Sequence, residues 1–112
     1  MEDTATWMLV TTVGSRDDAQ RMARGLVEQR LAACVQISAI DSVYRWDGQV
    51  RLEPELRLVV KTTAARLGEA ERLIRALHPY ALPAMHAMPL QRVEPAYADW
   101  VAQETGEAPP DR

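Results

Sequence analysis

The stretch SVYRWDGQV, residues 42–50, decides the fold. Asp47-Gly48 supplies the positive φ angles of a two-residue hairpin turn, and strand-like residues flank it on both sides. Two antiparallel strands therefore meet at this point. Positions paired across such a turn sum to about 95, which sets Tyr44 near Arg51. Traced backward, the first of these strands covers Leu31 to Trp46, with a break expected near Ala39 to Ser42. Traced forward, Gln49 to Thr62 is the return strand. Pro54 interrupts it, and because proline cannot donate to a ladder, a bulge or an unpaired stretch is expected there. Beyond it Leu56, Leu58 and Val60 share one face, while Arg57, Val59 and Lys61 share the other.

On each side of the hairpin the apolar period changes from two to between three and four. Ahead of it, Ala19, Met22, Ala23, Leu26 and Val27 form one helix face. Ser15 is a suitable N-cap and Asp18 follows three residues later, so a helix is expected from Arg16 to Arg30. After it, Leu67, Ala70, Leu73, Ile74 and Leu77 form a second helix face, capped by Thr62 or Thr63. That helix must stop near His78, because the residue before Pro79 is pushed out of the helical region. Trp7 to Val13 reads as a buried first strand ended by Gly14-Ser15. Ala84 to Val93 reads as a fourth strand, placed at an edge by Pro89. Pro95 suits the first turn of a short last helix, with Tyr97, Trp100 and Val101 on one side. Residues 1–106 make one domain, and 107–112 a flexible tail, with fraying from Gly106 onward.

The order is β-α-β-β-α-β plus a helix, the ferredoxin-like α+β pattern. Two helices cover one face of the sheet. The other face still carries apolar residues, and a second subunit is the economical way to cover it. For 112 residues, a compact domain has a radius of gyration of roughly 13 Å.

Composition narrows the function. A net charge of −3, with arginines scattered beside acids, argues against nucleic acid as a partner. No apolar run approaches the length of a membrane span, and the acidic N-terminus is unlike a signal peptide. Cys34 is the single cysteine, so no intrachain disulfide is possible and the cytoplasm is the expected compartment. The chain has no phosphate-binding glycine loop, no CxxC or HExxH, and no nucleophile with an evident base, so it does not read as an enzyme.

Two groups of residues remain as candidates. His78, His86, Cys34 and nearby acids offer donors for Cu or Zn if the fold gathers them or if subunits share them, although the spacing is not a standard zinc one. The plain reading makes His78 a helix C-terminal residue, His86 one position of a strand, and Cys34 a small core residue. Tyr44 and Trp46 share a strand face just before the turn, which suits an interface anchor. Lys61, beside a helix N-cap, either orients an anion or pairs with Glu55.

LAACVQI, SVYRWDG, a glutamate, VVKTT, HPYALP and YADW occur in this order over residues 7–101. The ordered set resembles the CutA family of divalent-cation tolerance proteins. The resemblance implies a ferredoxin-like subunit in a homotrimer similar to the PII signalling proteins, with a link to divalent metal tolerance, copper included. It implies a metal site at an inter-subunit cleft drawing on His78, Glu55 and Cys34. It implies a ligand cleft with Tyr44, Trp46, Lys61 and Tyr80, and an interface with Trp46, Tyr97 and Trp100. The alternative it leaves is a signalling or adaptor trimer that holds a small anion in the same clefts. The chain departs from the family pattern in carrying Ala81, Ala84, Thr11 and Leu77 where members often place acidic, Cys or His residues. Only His78 remains of that possible ligand set, so cation binding is expected to be weak.

Overall fold

Asp47 and Gly48 take φ of 52° and 74°. Two successive positive angles make a type I′ turn, whose twist matches that of the strands it joins. From this turn β2 (Cys34–Trp46) and β3 (Gln49–Thr63) run back as one antiparallel ladder. A computed structural model describes residues 3–107. It adds β1 (Thr6–Val13), α1 (Arg16–Glu28), α2 (Ala64–Leu77), β4 (Met85–Pro89) and α3 (Pro95–Glu104). The four strands form one antiparallel sheet in the order β2-β3-β1-β4.

The expected interruptions of the hairpin are absent. Ala39 to Ser42 pair in register with Leu56 to Glu53, and Pro54 sits opposite Asp41 without a bulge. Amide direction explains why. Ala64 N–H meets Ala5 O, and Ala33 N–H meets Lys61 O. Even-numbered residues of β3 therefore point their amides at β1, and odd-numbered ones at β2. Pro54 is even-numbered, and β1 has already ended opposite Leu56. The missing N–H of Pro54 faces a side where no strand waits.

Other boundaries also differ from expectation. α1 ends at Glu28, two residues early, because Arg30 enters the left-handed region at φ 59° and Leu31 N–H turns back to Leu26 O. β2 consequently starts at Cys34, leaving Leu31, Ala32 and Ala33 as a buried connector. β4 stops at Pro89, opposite Trp7, where β1 itself runs out. At Gly106, where the expected tail begins, the N–H donates to Arg30 O, while Arg30 donates to Gly106 O and to Gln103 O. Residues 108–112 of the expected tail lie outside the described residues.

Caps follow the sequence closely. Ser15 accepts from Asp18 N–H at the start of α1. Thr63 is the N-cap of α2 and His78 its C-cap. Leu9 and Val13 of β1, with Leu56, Leu58 and Val60 of β3, meet Met22 and Leu26 of α1 and Ala70 and Ile74 of α2 in the main core. The second face of the sheet carries the residues of opposite parity, among them Cys34, Lys61, Met8 and Val10. It is not left wholly to a partner. α3 reaches one end of it, where Tyr97 hydroxyl lies 3.4 Å from Cys34 Sγ.

The hairpin outruns the rest of the sheet. The pairs from Ile40–Glu55 to Trp46–Gln49 have no third strand beside them. The protein is thus elongated, 52 × 28 × 21 Å, with a radius of gyration of 15.1 Å rather than the compact value expected from its length. Val43, Val50 and Leu52, on one side of this ribbon, are exposed.

Candidate functional site

The site forms where the α2–β4 connection folds back against the base of the hairpin. α2 cannot pass Pro79, so His78 leaves the helix in an extended conformation with ψ 129°. Its ring is then fixed from both sides. Tyr80 N–H donates to Nδ1 at 3.2 Å, which assigns the proton to Nε2, and Nε2 meets Thr12 O at 2.9 Å. The Tyr80 ring tilts against the imidazole with centroids 4.9 Å apart.

Tyr80 next crosses to the hairpin. Its hydroxyl donates to Glu55 Oε2 at 2.9 Å. Burial first, and this carboxylate second, push the Tyr80 phenol up to about 12. Gly14 permits the crossing, since a Cβ there would stand 2.9 Å from the Tyr80 hydroxyl oxygen. Thr11 adds a tie, donating to Ala84 O at 2.7 Å.

Between this loop and the hairpin lies an open cleft of about 660 Å³. Tyr44, Trp46 and Tyr80 supply aromatic walls, Leu82 and Ala84 apolar ones, and Glu53 and Glu55 the charge. No Lys, Arg or His lines it, although Arg51 stands across the strand from Tyr44. Partial burial, then a hydrogen bond with Glu53, raise the Tyr44 hydroxyl above its ordinary value. Among the described residues neither Glu53 nor Glu55 forms an ion pair.

The sequence candidates divide. Tyr44, Trp46, Tyr80 and Glu55 come together in this cleft. His78 is beside it, with both ring nitrogens engaged inside the fold. Lys61 has the right strand parity but lies six residues along β3 from Glu55, roughly 20 Å away. One chain therefore does not by itself bring Lys61 to the cleft. Cys34 is opposite Lys61 at the same distant end. Its Sγ is within hydrogen-bonding distance of Tyr97, whose phenol burial and the thiol together push up to about 12. Tyr97 and Trp100 stack with centroids 5.8 Å apart. His86 is exposed on β4 opposite Val10 and is not among the residues that line the cleft. Among the described residues no three His, Cys, Asp or Glu side chains are placed to share a metal ion.

Sequence reasoning missed Glu53 and Gly14. Glu53 lies two residues before Glu55 on an unbroken strand, so parity alone places both on one face; the expected bulge at Pro54 hid this. No local signal marks Gly14, because the atom it makes room for is on a loop far along the chain.

The family model described as CutA1 divalent ion tolerance protein matches residues 7–104. The divalent-cation tolerance protein CutA of Thermus thermophilus is 41% identical over 100 residues, spanning 88% of this chain and 97% of that protein. Its solved structure superposes with a TM-score of 0.85 at 40% identity, covering 90% of this chain and 99% of the other. The solved CutA1 of Oryza sativa gives a TM-score of 0.88 at 30% identity, covering 95% and 98%. The Archaeoglobus fulgidus protein, described as a periplasmic divalent cation tolerance protein, gives 0.85 at 31% identity, covering 88% and 97%. Among the described residues no helix is long and apolar enough to cross a membrane.

Proposed function

This chain belongs to the CutA1 divalent ion tolerance family, and on that premise we propose that it is a binding protein, not an enzyme, which takes up a divalent cation weakly at the acid-lined cleft. The observation that carries this reading is the pair of carboxylates, Glu53 and Glu55, on one strand face with no cationic partner among the described residues. Two carboxylates completed by water suit a labile, oxygen-ligated ion. They do not fit a tightly held copper or zinc, which calls for more donors, and softer ones.

In this reading His78 is a positioning residue. It holds Tyr80, and Tyr80 orients Glu55, so a metal reaches His78 only if one of its internal hydrogen bonds opens. Cys34 joins such a site only from another subunit. A homotrimer of the kind the PII-like resemblance implies suits the exposed side chains Val43, Val50 and Leu52. The single free cysteine is compatible with the cytoplasm.

Calorimetric titration with zinc and with copper tests the proposal. The wild type is expected to bind in the micromolar to millimolar range (~4–8 kcal/mol). The double variant Glu53→Gln/Glu55→Gln should lose at least tenfold in affinity. Superimposable isotherms for the two proteins would refute the site.

A further inference from the structure

A hydrated metal dication needs only the carboxylates of the cleft, and this leaves its aromatic walls unexplained. Tyr44, Trp46 and Tyr80 are 37%, 49% and 39% exposed, large rings left facing a concavity rather than packed into the core. Glu55 accepts from the Tyr80 hydroxyl at 2.9 Å, and Glu53 lines the same cleft beside Tyr44. One hydrogen bond does not saturate a carboxylate, which can accept several. The remaining lone pairs are available to a ligand's donors.

Ligand classes differ sharply in how they meet such a surface. A small anion meets two carboxylates that form no ion pair among the described residues and finds no cation in the lining, so it is disfavoured. A neutral apolar molecule fills the walls but takes water away from the carboxylates without replacing its hydrogen bonds. An organic ammonium ion satisfies both parts. Its N–H groups make charge-assisted hydrogen bonds to the carboxylates, and its charge is attracted to the aromatic faces. Its carbon body covers the walls near Leu82 and Ala84. The cleft volume of about 660 Å³ is within the range usual for small-molecule sites.

We propose that the cleft formed by Tyr44, Trp46, Tyr80, Glu53 and Glu55 recognises an organic ammonium ion bearing an apolar body. The proposal rests on the reading of this cleft as a cation site and deepens it by naming a ligand class. The same chemistry is offered by a free amine and by a lysine side chain of a polypeptide.

The full chain, in its native oligomeric state, is titrated by NMR and calorimetry with three probes of one shape: phenethylammonium, phenethyl alcohol and 3-phenylpropionate. Saturable binding of the ammonium ion is expected, with the Trp46 indole signal shifting. The alcohol should bind at least tenfold more weakly and the carboxylate not at all. Trp46→Leu should weaken ammonium binding about tenfold and Trp46→Phe should restore it. These side chains are exposed, and retention of the remaining amide spectrum verifies that the variants are folded. A parallel titration with N-acetyl-lysine amide separates the sources: binding as tight as phenethylammonium identifies a polypeptide side chain, and weaker binding a free amine. The proposal is overturned if the alcohol binds as well as the ammonium ion, or if Trp46→Leu leaves ammonium binding intact. Zinc binding that depends on Glu53 and Glu55 without ammonium binding would sink this inference alone. Absence of both would sink the cation site itself.

Discussion

Tyr80 joins three parts of the chain, since its amide holds His78 and its hydroxyl holds Glu55, while Gly14 leaves it room. Two expectations follow at this scale. Ala at position 14 would place a methyl group 2.9 Å from the phenol oxygen, inside van der Waals contact, so Gly14→Ala should break the Tyr80–Glu55 hydrogen bond and cost about 1–2 kcal/mol. Loss of that hydrogen bond in a crystal structure of the variant, with a lower midpoint in urea, would verify it; an unmoved Tyr80 would contradict it. The second expectation concerns pH. The Tyr80 phenol is raised from 10.0 to about 12 in the folded protein. Between these values the folded chain holds a proton that the unfolded chain has released. The associated stability is therefore complete below pH 10 and is lost as pH climbs to about 12. Denaturant midpoints measured across this window should fall less steeply in Tyr80→Phe than in the wild type. Tyr97 titrates over the same range, so Tyr97→Phe should flatten the remaining slope.

Strands illustrate how much a single direction matters. Pro54 is tolerated in a long ladder because its nitrogen faces the vacated side of β3, beyond the end of β1. Pro54→Ala should thus change stability by no more than about 1 kcal/mol, chiefly through the unfolded chain. Val59 is odd-numbered and its amide faces Gln36 of β2. Val59→Pro should cost about 1–3 kcal/mol for the unmatched carbonyl alone, with the clash of the ring adding to it. Urea denaturation of the two variants measures the difference; comparable losses would refute the amide assignment. The same residue types thus have opposite consequences at two positions five residues apart on one strand. Helix ends show a second case. α1 ends where Arg30 takes a left-handed conformation, and the side chain of Arg30 then fastens the end of α3 through the carbonyls of Gln103 and Gly106.

At the scale of the whole molecule, the projecting hairpin dominates. It stretches the long axis to 52 Å and exposes Val43, Val50 and Leu52 far from the core. An isolated two-stranded ribbon is marginal in water, and an apolar side invites a partner. Sedimentation of the wild type should give a trimer, with thermal stability that rises with concentration. Leu52→Glu should shift the population toward monomer while the monomer core, which Leu52 does not join, stays folded. A wild type that sediments as a monomer at micromolar concentration would contradict the proposed assembly.

The order of elements was legible because it depends on near neighbours. Asp47-Gly48 dictates its turn by the sterics of two residues, His78-Pro79 ends a helix at once, and alternation assigns Leu58 and Lys61 to opposite faces. Alternation also put Lys61 on the same face as Tyr44, which is correct, but it carries no information about distance along the strand. The unbroken ladder sets Lys61 ten residues along β3 from Arg51, the partner of Tyr44, roughly 33 Å away, and leaves it opposite Cys34. The closure of residues 78–84 over the hairpin, the engagement of both His78 nitrogens, and the covering of one end of the second face by α3 were likewise decided in three dimensions. Each depends on segments far apart in the chain meeting through packing, and backbone sterics and periodicity, which act over a few residues, do not encode which loop meets which strand.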